Sequence, residues 1–309
     1  MKSLTRKFSA IILITGTIGL TACVANDENK IGDYNNTKNV ELPSEKNGYI
    51  VKVVPGETVI IDLNGDGEDE IINYSLKKVH DDSYSYYKVN NLTISGVEYA
   101  EEDSENPLGS LGMNIYYPDD QWYFIVDIDA SDDYKEIAIA DVGPSDDPTT
   151  SFLRYDGSEL EYIGYVTGYP TDDTYSMDGK GTIHSKGRLD LLQYWTAIFT
   201  WKLGSEGKLV SVEQDLYSPI SYDSEENNPV LLKQEIKAYT EKNLSSKTIV
   251  MEPSDQPITF PLTDNKNWVL MHREDGTEGW LYIENYINIV SDGYKLNSAY
   301  VFDNLFFAD

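Results

Sequence analysis

The chain has 309 residues, 40% hydrophobic and 25% charged, a balance ordinary for folded protein and too apolar for wholesale disorder. Acidic residues number 53 against 24 basic ones, and the formal charge of −29 repels phosphate backbones and anionic headgroups, so nucleic acid is excluded and cations are the natural small guests. A single cysteine excludes an intrachain disulfide and any multi-thiolate metal site.

The first element spans residues 1–22. It carries Lys2, Arg6 and Lys7, then an uncharged run from Phe8 to Leu20, then small residues, which is the layout of a secretory signal. The run is too short for a membrane-spanning helix, which needs ~20 apolar residues. Leu20-Thr21-Ala22-Cys23 resembles the bacterial lipobox. That resemblance implies cleavage before Cys23, transfer of a diacylglyceryl group with acyl chains of the palmitate type to its thiol, and an extracytoplasmic protein anchored to the bacterial cell membrane by lipid. Two acyl chains hold stably, because each buried methylene contributes roughly 0.8 kcal/mol. Residues 23–47 are polar, Asn-rich and without apolar periodicity, and they read as a tether.

From Tyr49 onward, short runs of period two recur between turn residues, among them YIVKVV, TVIIDL, WYFIVDI, EIAIADV and TAIFTWKL. The best helical candidate, Leu231 to Lys242, also parses as strand and turn, and Ser298 to Leu305 is expected to form a short helix. The expected fold class is mainly β. DLNGDGEDEII at 62–72 is echoed by DIDASDDYKEIAI at 127–139, and Gly179 to Tyr217 reads as a third unit without the acidic loop. That spacing suits propeller-blade-like antiparallel repeats over 48–225. The polar, proline-bearing stretch SPISYDSEENNP puts a boundary near residue 226.

Asp62-Leu63-Asn64-Gly65-Asp66-Gly67-Glu68-Asp69-Glu70 places oxygen-bearing side chains at loop positions 1, 3, 5 and 9, with glycines that let the backbone fold sharply. Such oxygens can converge on one hard cation, and position 7 can add a carbonyl. Calcium fits better than magnesium, which demands tight octahedral geometry, and no His or Cys favours zinc. Position 12 is Asn73, not the bidentate Glu of an EF-hand, and the flanks are strand-like. The loop resembles instead the calcium loop of FG-GAP and VCBS-type, integrin-like repeats. The resemblance implies Asp62, Asn64, Asp66 and Glu70 as side-chain ligands and Glu68 as a backbone ligand. In the second loop Asp127, Asp129, Asp132 and Glu136 could converge likewise, although it is one residue longer, lacks the glycines, and brings Tyr134 and Lys135 into the site.

Within residues 226–309, NKNWVLMHREDGTEGWLYIE sets a Trp-led strand, a DG turn and a GW-led strand in succession. It resembles bacterial Src homology 3-like domains, small β-barrels. Together with the GPSDD and RYDG turns, at 143–147 and 154–157, the chain is similar to surface lipoproteins of Firmicutes. Trp280 and Tyr282 share one face of their strand and are the candidates for contact with cell-wall glycan or peptide.

Enzyme signatures are absent. His80, His184 and His272 fall in separate segments, with no GxSxG elbow and no phosphate-binding glycine motif. The expected function is therefore a calcium-stabilised, lipid-anchored binding or scaffold module without catalysis. The alternative is an extracellular hydrolase that cleaves cell-wall or dietary glycan through an unidentified carboxylate pair.

Overall fold

The computed structural model describes residues 37–39, 50–80, 85–100, 123–141, 147–220 and 229–307. Cys23, the signal-like run, Trp122, most of the GPSDD turn and the proline-bearing stretch at 221–228 lie outside them, as does the proposed tether apart from residues 37–39. No helix of the described residues is long and apolar enough to cross a membrane.

The chain is mainly β, as its period-two runs require, and nearly all its strand pairings are antiparallel. β1 (Thr37–Asn39) and β2 (Ile50–Val53) enter different sheets. β3 (Thr58–Ile61), β4 (Glu70–His80), β5 (Ser85–Ile94) and β6 (Val97–Ala100) form a meander, to which β1 adds in parallel beside β3. A second meander runs through β7 (Tyr123–Val126), β8 (Glu136–Asp141), β9 (Thr149–Tyr155) and β10 (Leu160–Thr167), and β2 completes it by pairing with β7. The third sheet is β11 (Ser176–Met177), β12 (Thr182–Leu189), β13 (Trp195–Leu203) and β14 (Leu209–Val212).

The remainder builds one curled, nine-stranded sheet. Its strands are β15 (Val230–Leu232), β16 (Ile236–Tyr239), β17 (Thr248–Met251), β18 (Ser254–Thr263), β19 (Trp268–Arg273), β20 (Glu278–Glu284), β21 (Asn288–Ser291), β22 (Tyr294–Asn297) and β23 (Phe302–Asp303). The helical candidate at Leu231 to Lys242 is therefore two strands. The helix expected to reach Leu305 is a single turn, α1 (Ser298–Val301), capped by Asn297. It ends because Phe302 turns extended and buries its ring in the core.

Strand parity explains why YFIV is apolar without alternation. In β7, Tyr123 and Ile125 face a core shared with the first sheet, while Phe124 and Val126 face a core shared with the third. A strand buried on both faces has no solvent side to mark with polar residues. β12 and β13 serve two cores along their length: Ile183 packs toward the second sheet, whereas Leu189, Trp195 and Ala197 pack with Leu232, Phe260 and Leu281 of the last sheet. The third core thus draws residues from both sides of position 226.

Truncation inside the doubly covered sheet should be costly. Phe124→Ala removes a fully buried ring that meets Tyr169 edge-on at 5.9 Å, and we expect urea unfolding to lose ~3–5 kcal/mol. Tyr294→Ala, at a ring 71% exposed, should stay within ~0.5 kcal/mol.

Candidate functional site

The two acidic loops lie at the same end of neighbouring sheets, between β3 and β4 and between β7 and β8. Each is closed by the acid that opens its outgoing strand. Glu70 Oε2 accepts the Leu63 amide at 2.7 Å, and Glu136 Oε2 accepts the Ile128 amide at 3.2 Å. Both glutamates are buried, and so are the leucine and isoleucine they anchor. The loops also lock together: the Lys135 amide donates to the Leu63 carbonyl at 2.8 Å.

Gly65 is the contact point. Its φ is +74°, and a Cβ there would sit 2.3 Å from the Asp133 Cβ and 2.9 Å from the Asp133 carbonyl oxygen, so only glycine permits this approach. On the other flank, the RYDG turn brings Gly157 so close that a Cβ would lie 2.6 Å from the Asn64 amide nitrogen. The second loop in turn bonds to the hairpin before β12, through Ala130 N–H to Gly179 O and Gly181 N–H to Ile128 O, both 2.9 Å.

In the first loop the oxygens hold the loop's own backbone. Asp62 accepts the amides of Gly65 at 2.7 Å and Gly67 at 3.0 Å, Asn64 Oδ1 accepts that of Asp66 at 3.0 Å, and Asp66 Oδ1 accepts that of Glu68 at 2.8 Å. These bonds fold the turn tightly, as the two glycines suggest. Burial pushes the Glu70 carboxyl above its ordinary 4.5, and repulsion from Asp66 and Asp62 adds to it. Among the described residues, no lysine or arginine pairs with Asp62, Asp66 or Glu70. Glu68 is exposed.

The second loop carries its own cation. Arg154 lies opposite Glu136 in the β8–β9 register and donates from Nε to Glu136 Oε1 at 3.0 Å. Its Nη2 bonds both Glu136 and Asp132, the latter at 3.2 Å, and its guanidinium lies 4.6 Å over the Tyr134 ring. Burial pushes the Glu136 carboxyl up, with Arg154 opposing. Asp129 accepts the Ser131 amide at 3.0 Å. Asp127 stands apart: it is 6% exposed, its Oδ1 has no hydrogen-bond partner among the described residues, and burial raises its carboxyl above the ordinary 3.8.

The sequence reading did not find Arg154's role. Its signal is the opposite charge facing Glu136 across a hairpin, which becomes visible only once the register is known. Among the described residues, no group of three or more His, Cys, Asp or Glu side chains is gathered into a metal-holding arrangement. Trp280 and Tyr282 do share the half-exposed face of β20, where Tyr282 meets Trp268 at 5.0 Å and Trp280 pairs in register with Tyr239. His184 contacts Thr200 at 3.1 Å in the third sheet, and His272 lies in the last sheet.

No protein-family model, curated protein or solved structure matches this chain.

Two substitutions test the lock. Gly65→Ala adds a steric clash to a strained φ, whereas Gly67→Ala, at φ +88° with open space around it, adds strain alone. We expect thermal unfolding to show a loss of ~1–2 kcal/mol for Gly67→Ala and clearly more for Gly65→Ala. Arg154→Met, which leaves Glu136 buried without its partner, should cost ~3–5 kcal/mol at pH 7 by denaturant unfolding. Part of that loss should return on acidification, because the raised Glu136 carboxyl then takes up a proton.

Proposed function

We propose that this chain is a lipid-anchored, extracytoplasmic bacterial surface module whose β sheets are braced by a calcium ion at the first acidic loop. The contrast between the two loops carries the reading. They occupy equivalent positions and close with the same buried glutamate, yet among the described residues one has a guanidinium against its acids and the other has no basic side chain paired with Asp62, Asp66 or Glu70. An uncompensated carboxylate cluster at pH 7 repels itself, and a bound divalent cation relieves that repulsion.

By residue type the donor set suits such an ion, which would draw these oxygens from the loop amides they now accept. Asp62, Asn64, Asp66 and Glu70 offer side-chain oxygens and Glu68 a carbonyl, with no nitrogen or sulfur ligand. Calcium supplies charge neutralisation and a rigid tie between the loop's two ends. Asp127, Asp129, Asp132 and Glu136 would hold a second ion, aided by the unpartnered Asp127 oxygen; Arg154 competes for the same acids. The paired meanders with matching loops support kinship with blade-like FG-GAP and VCBS-type repeats. The curled last sheet with its Trp-led hairpin supports an Src homology 3-like terminal domain. Cys23 supplies the membrane anchor, and Trp280 with Tyr282 offer an aromatic face to cell-wall glycan or peptide.

Calcium should raise the melting temperature and a chelator should lower it again. At a dissociation constant of ~0.1–1 mM, millimolar calcium adds ~0.4–1.4 kcal/mol. Asp66→Ala should abolish most of this response, and an unchanged titration would refute the ligand assignment. The pH dependence has a definite sign. A raised Glu70 pKa means that the metal-free protein gains stability below 4.5 and loses it as pH rises through the folded value. Calcium favours the ionised form, so its melting shift should grow from pH 4.5 to 7. Separately, Cys23→Ser should move the protein out of the detergent phase, which a lipid-independent attachment would not do.

A further inference from the structure

A cavity of about 280 Å³ opens where three distant segments meet: the loop after β12, the turn between β20 and β21, and the chain end beyond β23. It is lined by Arg188, Asp190, Gln193, Tyr194, Tyr286 and Phe307, among others. The volume lies just below the roughly 300–1,000 Å³ of ordinary ligand pockets, which suits one or two small rings. The Tyr286 ring is 68% exposed and that of Phe307 45%, so these aromatics are not core filling.

The walls are held in a costly conformation. Leu192 and Tyr286, both non-glycine and both lining the cavity, have φ of +76° and +69°. They are tied to each other by the Leu192 amide donating to the Tyr286 carbonyl at 2.7 Å. Bulky side chains seldom adopt this region, and such strain concentrates where a surface is shaped for a ligand. Gln193 is fixed as well, its Oε1 accepting the Phe306 amide at 3.1 Å.

The charges identify the ligand class. Arg188 is already paired, with Asp147 at 3.3 Å and Asp190 at 3.4 Å, and its guanidinium lies 5.0 Å over the Tyr194 ring. The cavity therefore asks for no ionic partner, and the surplus of acids over the whole chain turns anions away. Its lining sets the exposed aromatic residues Tyr286 and Phe307 beside a guanidinium donor and a carboxylate acceptor. That combination matches a neutral polyhydroxylated ring, whose C–H face stacks on an aromatic while its vicinal hydroxyls bridge donor and acceptor.

We propose that this cavity binds a neutral saccharide ring, with Tyr286 and Phe307 as the stacking platform and Arg188 and Asp190 as the hydroxyl-binding pair. The inference rests on the reading of the chain as a binding module and gives that module a site apart from Trp280 and Tyr282.

The test is titration of the full mature chain, in calcium, with glucose, N-acetylglucosamine, cellobiose and chitobiose, followed by ligand-observed NMR. At least one should bind saturably below about 10 mM. Tyr286→Ala and Phe307→Ala should each weaken it about tenfold, while Tyr300→Ala, at a ring 76% exposed outside the cavity lining, should leave it unchanged. Unaltered melting and an intact calcium response in the variants show that they fold. Absence of saturable binding to all four sugars, or equal binding by wild type and both cavity variants, overturns the inference. The calcium shift, measured on the same samples, then says separately whether the braced-module reading survives.

Discussion

One buried carboxylate at the foot of each acidic loop sets the geometry of this end of the molecule. Glu70 and Glu136 each reach back to a backbone amide at the start of their own loop, and the residues so held, Leu63 and Ile128, are fully buried. A loop secured at both ends can pack closely on its neighbour. That is why Leu63 bonds Lys135 across the gap and why Gly65 tolerates no side chain. The buried acids carry a cost, since removing a carboxylate from water disfavours its charge unless a partner restores it. The fold answers that cost with one loop amide at each glutamate, and at Glu136 with a guanidinium as well.

From this end the sheets follow one another through shared cores. The second sheet is covered on both faces, so its strands read as continuous apolar runs and its packing depends on the first and third sheets together. The third sheet divides one face between two neighbours. A side chain lost in β7 or β13 is therefore felt in more than one layer, because close-packed interiors relax only partly around a void. The acidic loops and the cavity lie at different places in this arrangement, one set by charge and the other bordered by aromatic residues on strained backbone.

Much of this was legible in the residue pattern. The mainly β character, the matching of residues 62–72 with 127–139, and the tight glycine-bearing turn at 62–70 follow from alternation, glycine placement and acid spacing. Local chemistry of this kind is written in neighbouring residues, which is why it can be read without coordinates. The helical expectation for Ser298 to Leu305 failed after one turn, since local propensity says nothing of the core that captures Phe302.

By itself, then, the order of residues determined the strand content, the turn-bound acidic loops and the net charge. Tertiary structure alone decided that Arg154 would pair with Glu136 and Asp132 of the second loop, that Gly65 would meet Asp133, and that Arg188, Tyr286 and Phe307 would border one cavity. These pairings join positions far apart in the chain. They depend on strand register and sheet order, which arise from burying all the apolar faces at once and leave no trace in any short stretch of sequence.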